Sequence, residues 1–311
     1  MDDWNSTAFV FPGQGSQFVG MGKSLASTYL SAREIFDQAD DLLKIHLSRL
    51  AWEGPEGELN DTVNTQPALY VHSIAALRVL EELHPGISPR MVAGHSMGEL
   101  SALVASGSLP FEAGLNLVRK RGELMKQAGE QNPGGMAAVL GLDIPTLEQV
   151  CSNASIPGEI VQVANDNCPG QCVISGANPA LDRAIALAQE AGARRVVRLA
   201  VSIAAHSPLM ASAQEQFNRE VRDASISDPV APVVGNVTAA PLNSAEEIRQ
   251  DLVAQLLSRV RWTESILTMR RLGVNTLIEL GSGDVLSGLA KRIDPEIKRL
   301  RFGSPDDLPL E

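Results

Sequence analysis

The chain is 311 residues long and 44% hydrophobic, with 37 acidic against 26 basic side chains and a formal net charge of -11. That is enough for one large domain, or one with a small insertion, and the charge argues against nucleic acid as the main partner. Apolar runs stop well short of the roughly 20 residues of a membrane span, so no membrane partner is expected; the acidic, polar opening Met1-Asp2-Asp3-Trp4-Asn5 is unlike a secretory signal, which points to the cytoplasm.

Residues 8–11 predict a strand that runs straight into Pro12-Gly13-Gln14-Gly15-Ser16-Gln17. Helical periodicity follows near 23–40 and 66–83. Residues 90–93 predict a short buried strand, and 98–106 a helix with Ala and Leu at good helix-forming positions. Between them stands Gly94-His95-Ser96-Met97-Gly98, a G-x-S-x-G pentapeptide at a strand-to-helix switch. On so sharp a turn a serine is lifted out of the backbone, and glycines relieve the crowding a Cβ would create. The unpaired N–H groups of the following helix point back at the turn, where negative charge is stabilised. Those are the needs of a nucleophile that passes through a tetrahedral oxyanion. The alternative is a βα turn whose serine only caps a helix.

A helix near 111–128 leads into the polar stretch Gly129-Glu130-Gln131-Asn132-Pro133-Gly134. Beyond it come strand 135–141, helix 144–153, strand 159–164, a turn at Asn167-Cys168-Pro169-Gly170, strand 171–175, helix 179–191 and strand 194–200. This β-α-β-β-α-β order predicts a ferredoxin-like α+β subdomain inserted at 130–200. Cys151, Cys168 and Cys172 are too few for a disulfide framework and lack the companion ligands of a zinc site. They read as packing residues, and no metal is expected. The small-residue segment 201–208 contains His206; strand 232–235, a helix near 245–257 and strand 276–280 ending in Gly281-Ser282-Gly283 follow. The tail Ser304-Pro305-Asp306-Asp307 reads as unstructured. Strands alternating with helices on both sides of the insert imply an α/β core, 1–129 and 201–311, with a mostly parallel sheet. Ligands of such sheets gather beyond the carboxyl ends of the strands, so the Gly-rich stretches 12–17, 94–98 and 281–283 are expected to converge.

A serine hydroxyl barely ionises at neutral pH, so Ser96 needs a base. Histidine is the default, and there are five. His95 neighbours Ser96 and is expected to point away from it, His46 and His72 lie in helical patterns, and His84 precedes Pro85 in a loop. His206 remains, with a hydrogen-bonded structural histidine as the alternative. No acid stands out downstream to complete a Ser-His-Asp set, so a backbone carbonyl is the candidate to orient the imidazole.

Several segments together carry a family likeness. Phe11-Pro12-Gly13-Gln14-Gly15-Ser16-Gln17, Gly94-His95-Ser96-Met97-Gly98-Glu99 and Arg121-Gly122 resemble the malonyl-CoA:acyl-carrier-protein transacylases. Thr65-Gln66-Pro67-Ala68-Leu69, Asn167-Cys168-Pro169-Gly170-Gln171, 201–210 and Gly281-Ser282-Gly283-Asp284-Val285-Leu286 fit in the same order, so the resemblance runs from about residue 7 to 293. It implies a hydrolase-like α/β core with a ferredoxin-like insertion. It implies Ser96 as nucleophile, His206 as base, Gln14 and the Met97 N–H as oxyanion hole, and Arg121 as holder of the substrate's free carboxylate. A planar guanidinium suits that role, since it grips a carboxylate through two parallel hydrogen bonds. Gln255 matches the residue whose main-chain oxygen supports the histidine, and Gln66 and Asn165 match polar residues near the acyl pocket.

The implied reaction is a ping-pong transfer of malonyl from coenzyme A, through a malonyl-serine, to the phosphopantetheine thiol of acyl carrier protein in fatty acid synthesis. A coenzyme A thioester and acyl carrier protein are the implied partners, no metal or redox cofactor is called for, and a monomer is expected. Carrier docking on a chain this acidic calls for a basic rim, with Lys120, Arg194 and Arg198 as candidates. The alternatives are a discrete acyltransferase of a polyketide synthase or other carrier-protein system, a serine thioesterase, and a catalytically idle acyl- or carrier-binding subunit. Arg121 argues against the thioesterase, because a hydrolase of neutral acyl groups has no use for a buried cation.

Overall fold

The computed structural model describes residues 4–308; the opening Met1-Asp2-Asp3 lies outside them. Its strands are β1 (Thr7–Phe11), β2 (Met91–Gly94), β3 (Gly134–Leu140), β4 (Val161–Cys168), β5 (Gln171–Ala177), β6 (Arg195–Arg198), β7 (Val233–Val234), β8 (Pro241–Leu242), β9 (Val260–Arg261), β10 (Thr276–Leu280) and β11 (Lys298–Phe302). They form two sheets. The first has the order β11-β10-β1-β2-β7-β8 and is parallel except for the β7–β8 pair at its edge.

Residues of β1 are buried without exception, as expected of a strand covered on both faces. Successive side chains alternate across the sheet: Phe9 and Phe11 enter one apolar core, Ala8 and Val10 the other. The first core is filled by the helix Thr62–Leu83, which is apolar on nearly every side and so lies in the interior. The second is closed by Trp262–Arg271 and Val285–Ile293.

The second sheet has the order β6-β3-β5-β4-β9. Its first four strands, with helices Ile144–Ala154 and Asn178–Glu190, make the ferredoxin-like unit with a third core of its own. The fifth strand, β9, comes from beyond residue 200 and pairs in parallel with β4 through Asn165 and Asp166. A sheet edge is thereby covered, and the insert is tied to the core next to the site. All three cysteines are free and buried, and burial pushes the Cys151 and Cys172 thiols up to about 12.

Three local expectations change. The helical pattern near 23–40 is two helices, Lys23–Thr28 and Leu30–Leu43, separated by an extended Tyr29. The hydroxyls of Ser27 and Thr28 donate to the carbonyls of Lys23 and Ser24, local bonds that compete with helix continuation. Exposed His46 stands just before the helix Leu47–Glu53 rather than within a helix. In the tail, Ser304 caps a 3₁₀ turn, Pro305–Asp307, through a reciprocal capping box. Ser-Pro-Asp-Asp is itself a helix-start sequence, which is why the segment is ordered.

Candidate active site

Two close approaches build the serine turn. A Cβ on Gly94 would lie 2.0 Å from the Gly98 carbonyl carbon, and one on Gly98 would lie 2.3 Å from the Phe11 oxygen. Both glycines of the pentapeptide are therefore steric requirements of packing the helix Gly98–Ala105 onto β1 and β2. Ser96, between them, has φ 53°, a left-handed conformation costly for a serine. Asn236 holds it there: its Oδ1 accepts from the Ser96 N–H at 2.7 Å and its Nδ2 donates to the Gly94 carbonyl at 2.7 Å. The Gly-rich strand ends meet as expected, since Gly13 abuts His95 and Ser282 Oγ donates to the Ser16 carbonyl.

Ser96 Oγ lies 2.8 Å from His206 Nε2. The other ring nitrogen, Nδ1, is 3.0 Å from the main-chain oxygens of both Gln255 and Ser258. Two carbonyls can only accept, so Nδ1 carries the proton and Nε2 is left to accept one from the serine. Burial, reinforced by the nearby Arg121 charge, lowers the His206 pKa to about 3, which keeps the ring neutral. Gln162 Nε2 fixes the same loop by donating to the carbonyls of His206 and Leu257, both at 2.8 Å. His95 turns away, with Nε2 2.9 Å from Asn167 Oδ1 and its ring edge-on to Trp262.

Arg121 is 2% exposed, and among the described residues no carboxylate lies within ion-pair distance of it. Its guanidinium donates instead to neutral acceptors: Nη2 to Ser96 Oγ and Gln255 Oε1, each at 3.0 Å, and Nη1 to Gln66 Oε1 at 2.9 Å and Met125 Sδ at 3.3 Å. Burial depresses its pKa to about 10, so it stays cationic at neutral pH. A buried cation without a counter-ion is costly and is well matched to an anionic ligand.

Gln14 and Gln66 join this group through Thr62, whose hydroxyl donates to Gln14 Oε1 and accepts from Gln66 Nε2, both at 2.9 Å. Gln14 is exposed. Met97 follows the serine at the helix start, and its N–H bonds to no acceptor among the described residues. Asn165 is apart: buried on β4 between Val173 and Val260, it makes no side-chain hydrogen bond with Ser96, His206 or Arg121. Of the basic-rim candidates, Arg198 is paired with Asp182; Arg119, Arg259 and Arg261 pair with Glu123, Glu148 and Glu264.

Four residues of this neighbourhood were not reached from the sequence. Asn236, Ser258 and Gln162 carry no local signal in the sequence. Glu99 closes the serine motif; its Oε2 accepts from Gln255 Nε2 at 2.5 Å.

Residues 8–287 match the family model described as the acyl transferase domain. The chain is 46% identical over 304 residues to the malonyl CoA-acyl carrier protein transacylase of Bacillus subtilis, covering 97% of this chain and 95% of that protein. It is also similar to the crystal structure of an acyl-carrier-protein-S-malonyltransferase from Bartonella henselae, with a TM-score of 0.93, 42% identity, and coverage of 97% of this chain and 96% of that one. A malonyl-transacylase solved in complex with a type II polyketide synthase acyl-carrier protein aligns at a TM-score of 0.94 and 40% identity, with 97% of each chain covered.

Proposed function

The chain belongs to the acyl transferase domain family, and on that premise we propose that it moves a malonyl group from coenzyme A to the phosphopantetheine thiol of an acyl carrier protein, supplying fatty acid elongation. The observation that carries this reading is Arg121, a buried guanidinium with no carboxylate partner among the described residues, 3.0 Å from the Ser96 hydroxyl. A malonyl thioester brings the missing carboxylate, and gripping it at Arg121 sets the thioester carbonyl over Ser96.

Ser96 Oγ attacks that carbonyl carbon as its proton passes to His206 Nε2. The Gln255 and Ser258 carbonyls accept from Nδ1–H and stabilise the imidazolium that forms. The oxyanion is held by the Met97 N–H and the Gln14 side chain. Collapse breaks the C–S bond, and the departing coenzyme A thiolate takes the proton from His206, leaving malonyl-Ser96. In the second half the carrier thiol gives its proton to His206 and attacks the ester carbonyl. Collapse then returns the proton to Ser96 and releases malonyl-carrier. Protein groups move every proton and hold the oxyanion, so the reading calls for no metal or redox cofactor. All the named groups sit on one chain, which suits a monomer, with 1–129 and 201–311 as the catalytic core and 130–200 as the insert. Among the described residues no helix is long and apolar enough to cross a membrane.

Incubation with malonyl-CoA, intact-mass measurement and peptide mapping test the reading. One malonyl adduct on the Ser96 peptide, discharged by holo-carrier, is expected. No adduct, an adduct that persists in Ser96→Ala, or discharge only to water would overturn it. A carrier of a polyketide system is the second reading, favoured by the carrier complex of one similar structure; the ratio of transfer rates to the two carriers separates them.

A further inference from the structure

Glu99 is fully buried one helical turn beyond the serine. Its Oε2 accepts from Gln255 Nε2, but its Oε1 is sealed from solvent with no donor facing it among the described residues. A second buried acid acts on this carboxyl: Asp251 affects Glu99 both through its charge and through a side-chain hydrogen bond. Asp251, also buried, already accepts from Val237 N at 3.3 Å, Thr238 N at 3.2 Å and Thr238 Oγ1 at 3.3 Å. Two carboxylates in contact and out of water do not both ionise, and the one with more donors keeps the charge. That one is Asp251. The unpartnered Glu99 Oε1 is then a hydroxyl, and Asp251 is its acceptor.

We propose that Glu99 is a neutral positioning acid that donates from Oε1 to Asp251, accepts from Gln255 at Oε2, and thereby fixes which end of the Gln255 amide faces Arg121. With Nε2 held by Glu99 and by the Ser96 carbonyl at 3.3 Å, Gln255 turns Oε1 to the guanidinium. The reversed amide would set two donors against each other. A neutral Glu99 also leaves the Arg121 charge for the incoming carboxylate; an ionised one would consume it as an internal counter-ion. The charged groups acting on Glu99 are Asp251 from the helix Ala245–Gln255 and Arg121 from the helix Phe111–Gln131. Burial, followed by the Asp251 charge, raises the Glu99 carboxyl well above the usual carboxylate range, in keeping with this assignment.

The inference rests on the reading of Ser96 as the acylated residue and Arg121 as the carboxylate holder. Its test compares Glu99→Gln, which copies the neutral acid's donor and acceptor, with Glu99→Ala. For Glu99→Gln, kcat/KM for malonyl-CoA is expected to stay within about threefold of the parent across neutral to alkaline pH, since no hydrogen bond is lost. In Glu99→Ala the KM for malonyl-CoA rises by about 10- to 100-fold while kcat changes less, as expected when a substrate-orienting charge-assisted bond is misplaced. Difference infrared spectra of the parent at neutral pH should contain the carbonyl band of a buried protonated carboxylic acid, and Glu99→Gln should lack it. If Glu99→Gln loses as much as Glu99→Ala, or the parent lacks that band, the proposal is overturned; the band decides even where Glu99→Ala does not fold. A malonyl adduct persisting in Ser96→Ala would instead remove the underlying reading.

Discussion

Arg121 holds its Nη2 3.0 Å from the hydroxyl oxygen of Ser96, across 25 residues of sequence. On the proposed reading, this contact brings the nucleophile and the carboxylate receptor into one small site.

Arg121→Ala should lower kcat/KM for malonyl-CoA by about 100- to 1,000-fold while changing the slow use of acetyl-CoA little, because a buried charge-assisted pair is lost only with the former. Arg121→Lys should not restore selectivity, since a single ammonium cannot make the two-pronged contact. Initial rates with the two donors measure this; unchanged selectivity in Arg121→Ala would refute the carboxylate role.

His206, with its pKa lowered to about 3, is neutral wherever ordinary histidines begin to protonate. The acid limb of kcat/KM should therefore fall below the usual histidine range, with no loss between pH 7 and 6. The sign for stability follows from proton uptake. Between about pH 3 and about 6.5 the unfolded chain binds a proton at this position and the folded one does not, so the contribution is complete above 6.5 and is lost as pH falls. Thermal melts of His206→Gln should show a shallower acid decline than the parent. An identical decline would contradict the assignment.

Asn236→Ala leaves the Ser96 N–H and the Gly94 carbonyl without their partner. A loss of about 2 kcal/mol in denaturant unfolding is expected, together with a fall in kcat as the left-handed serine relaxes. Stability loss with kcat preserved would show that Asn236 braces the fold but not the nucleophile.

Gly98→Ala should be among the most damaging single-methyl additions in the chain, since its Cβ would overlap the Phe11 carbonyl, a backbone atom that cannot rotate away. A cost of about 3 kcal/mol or more is expected. Gly57→Ala, with open space around its Cβ, is the control and should change Tm little.

The short strands and the elbow were legible because their constraints are local. Alternation of Ala8, Phe9, Val10 and Phe11 needs only the period of a strand, and glycines around Ser96 answer to contacts within a few residues or to the adjacent strand. His206 was reachable by elimination among few histidines, and Arg121 and Gln255 by resemblance. The break at Tyr29 was not visible, because Ser27 and Thr28 fit a helical pattern until their hydroxyls bond back to the carbonyls of the preceding turn.

By itself the sequence determined the α/β class, the insert's strand order and the serine turn, since periodicity and steric exclusion act along the chain. Only the tertiary structure decided how the turn is held: Asn236 reaches Gly94 across 142 residues, and Glu99 meets Gln255 across 156. Side chains of such separation show no periodic relation. Their ionisation depends on burial and on neighbours that exist only once the chain has folded, which is why two unremarked acids, Glu99 and Asp251, stand behind the serine.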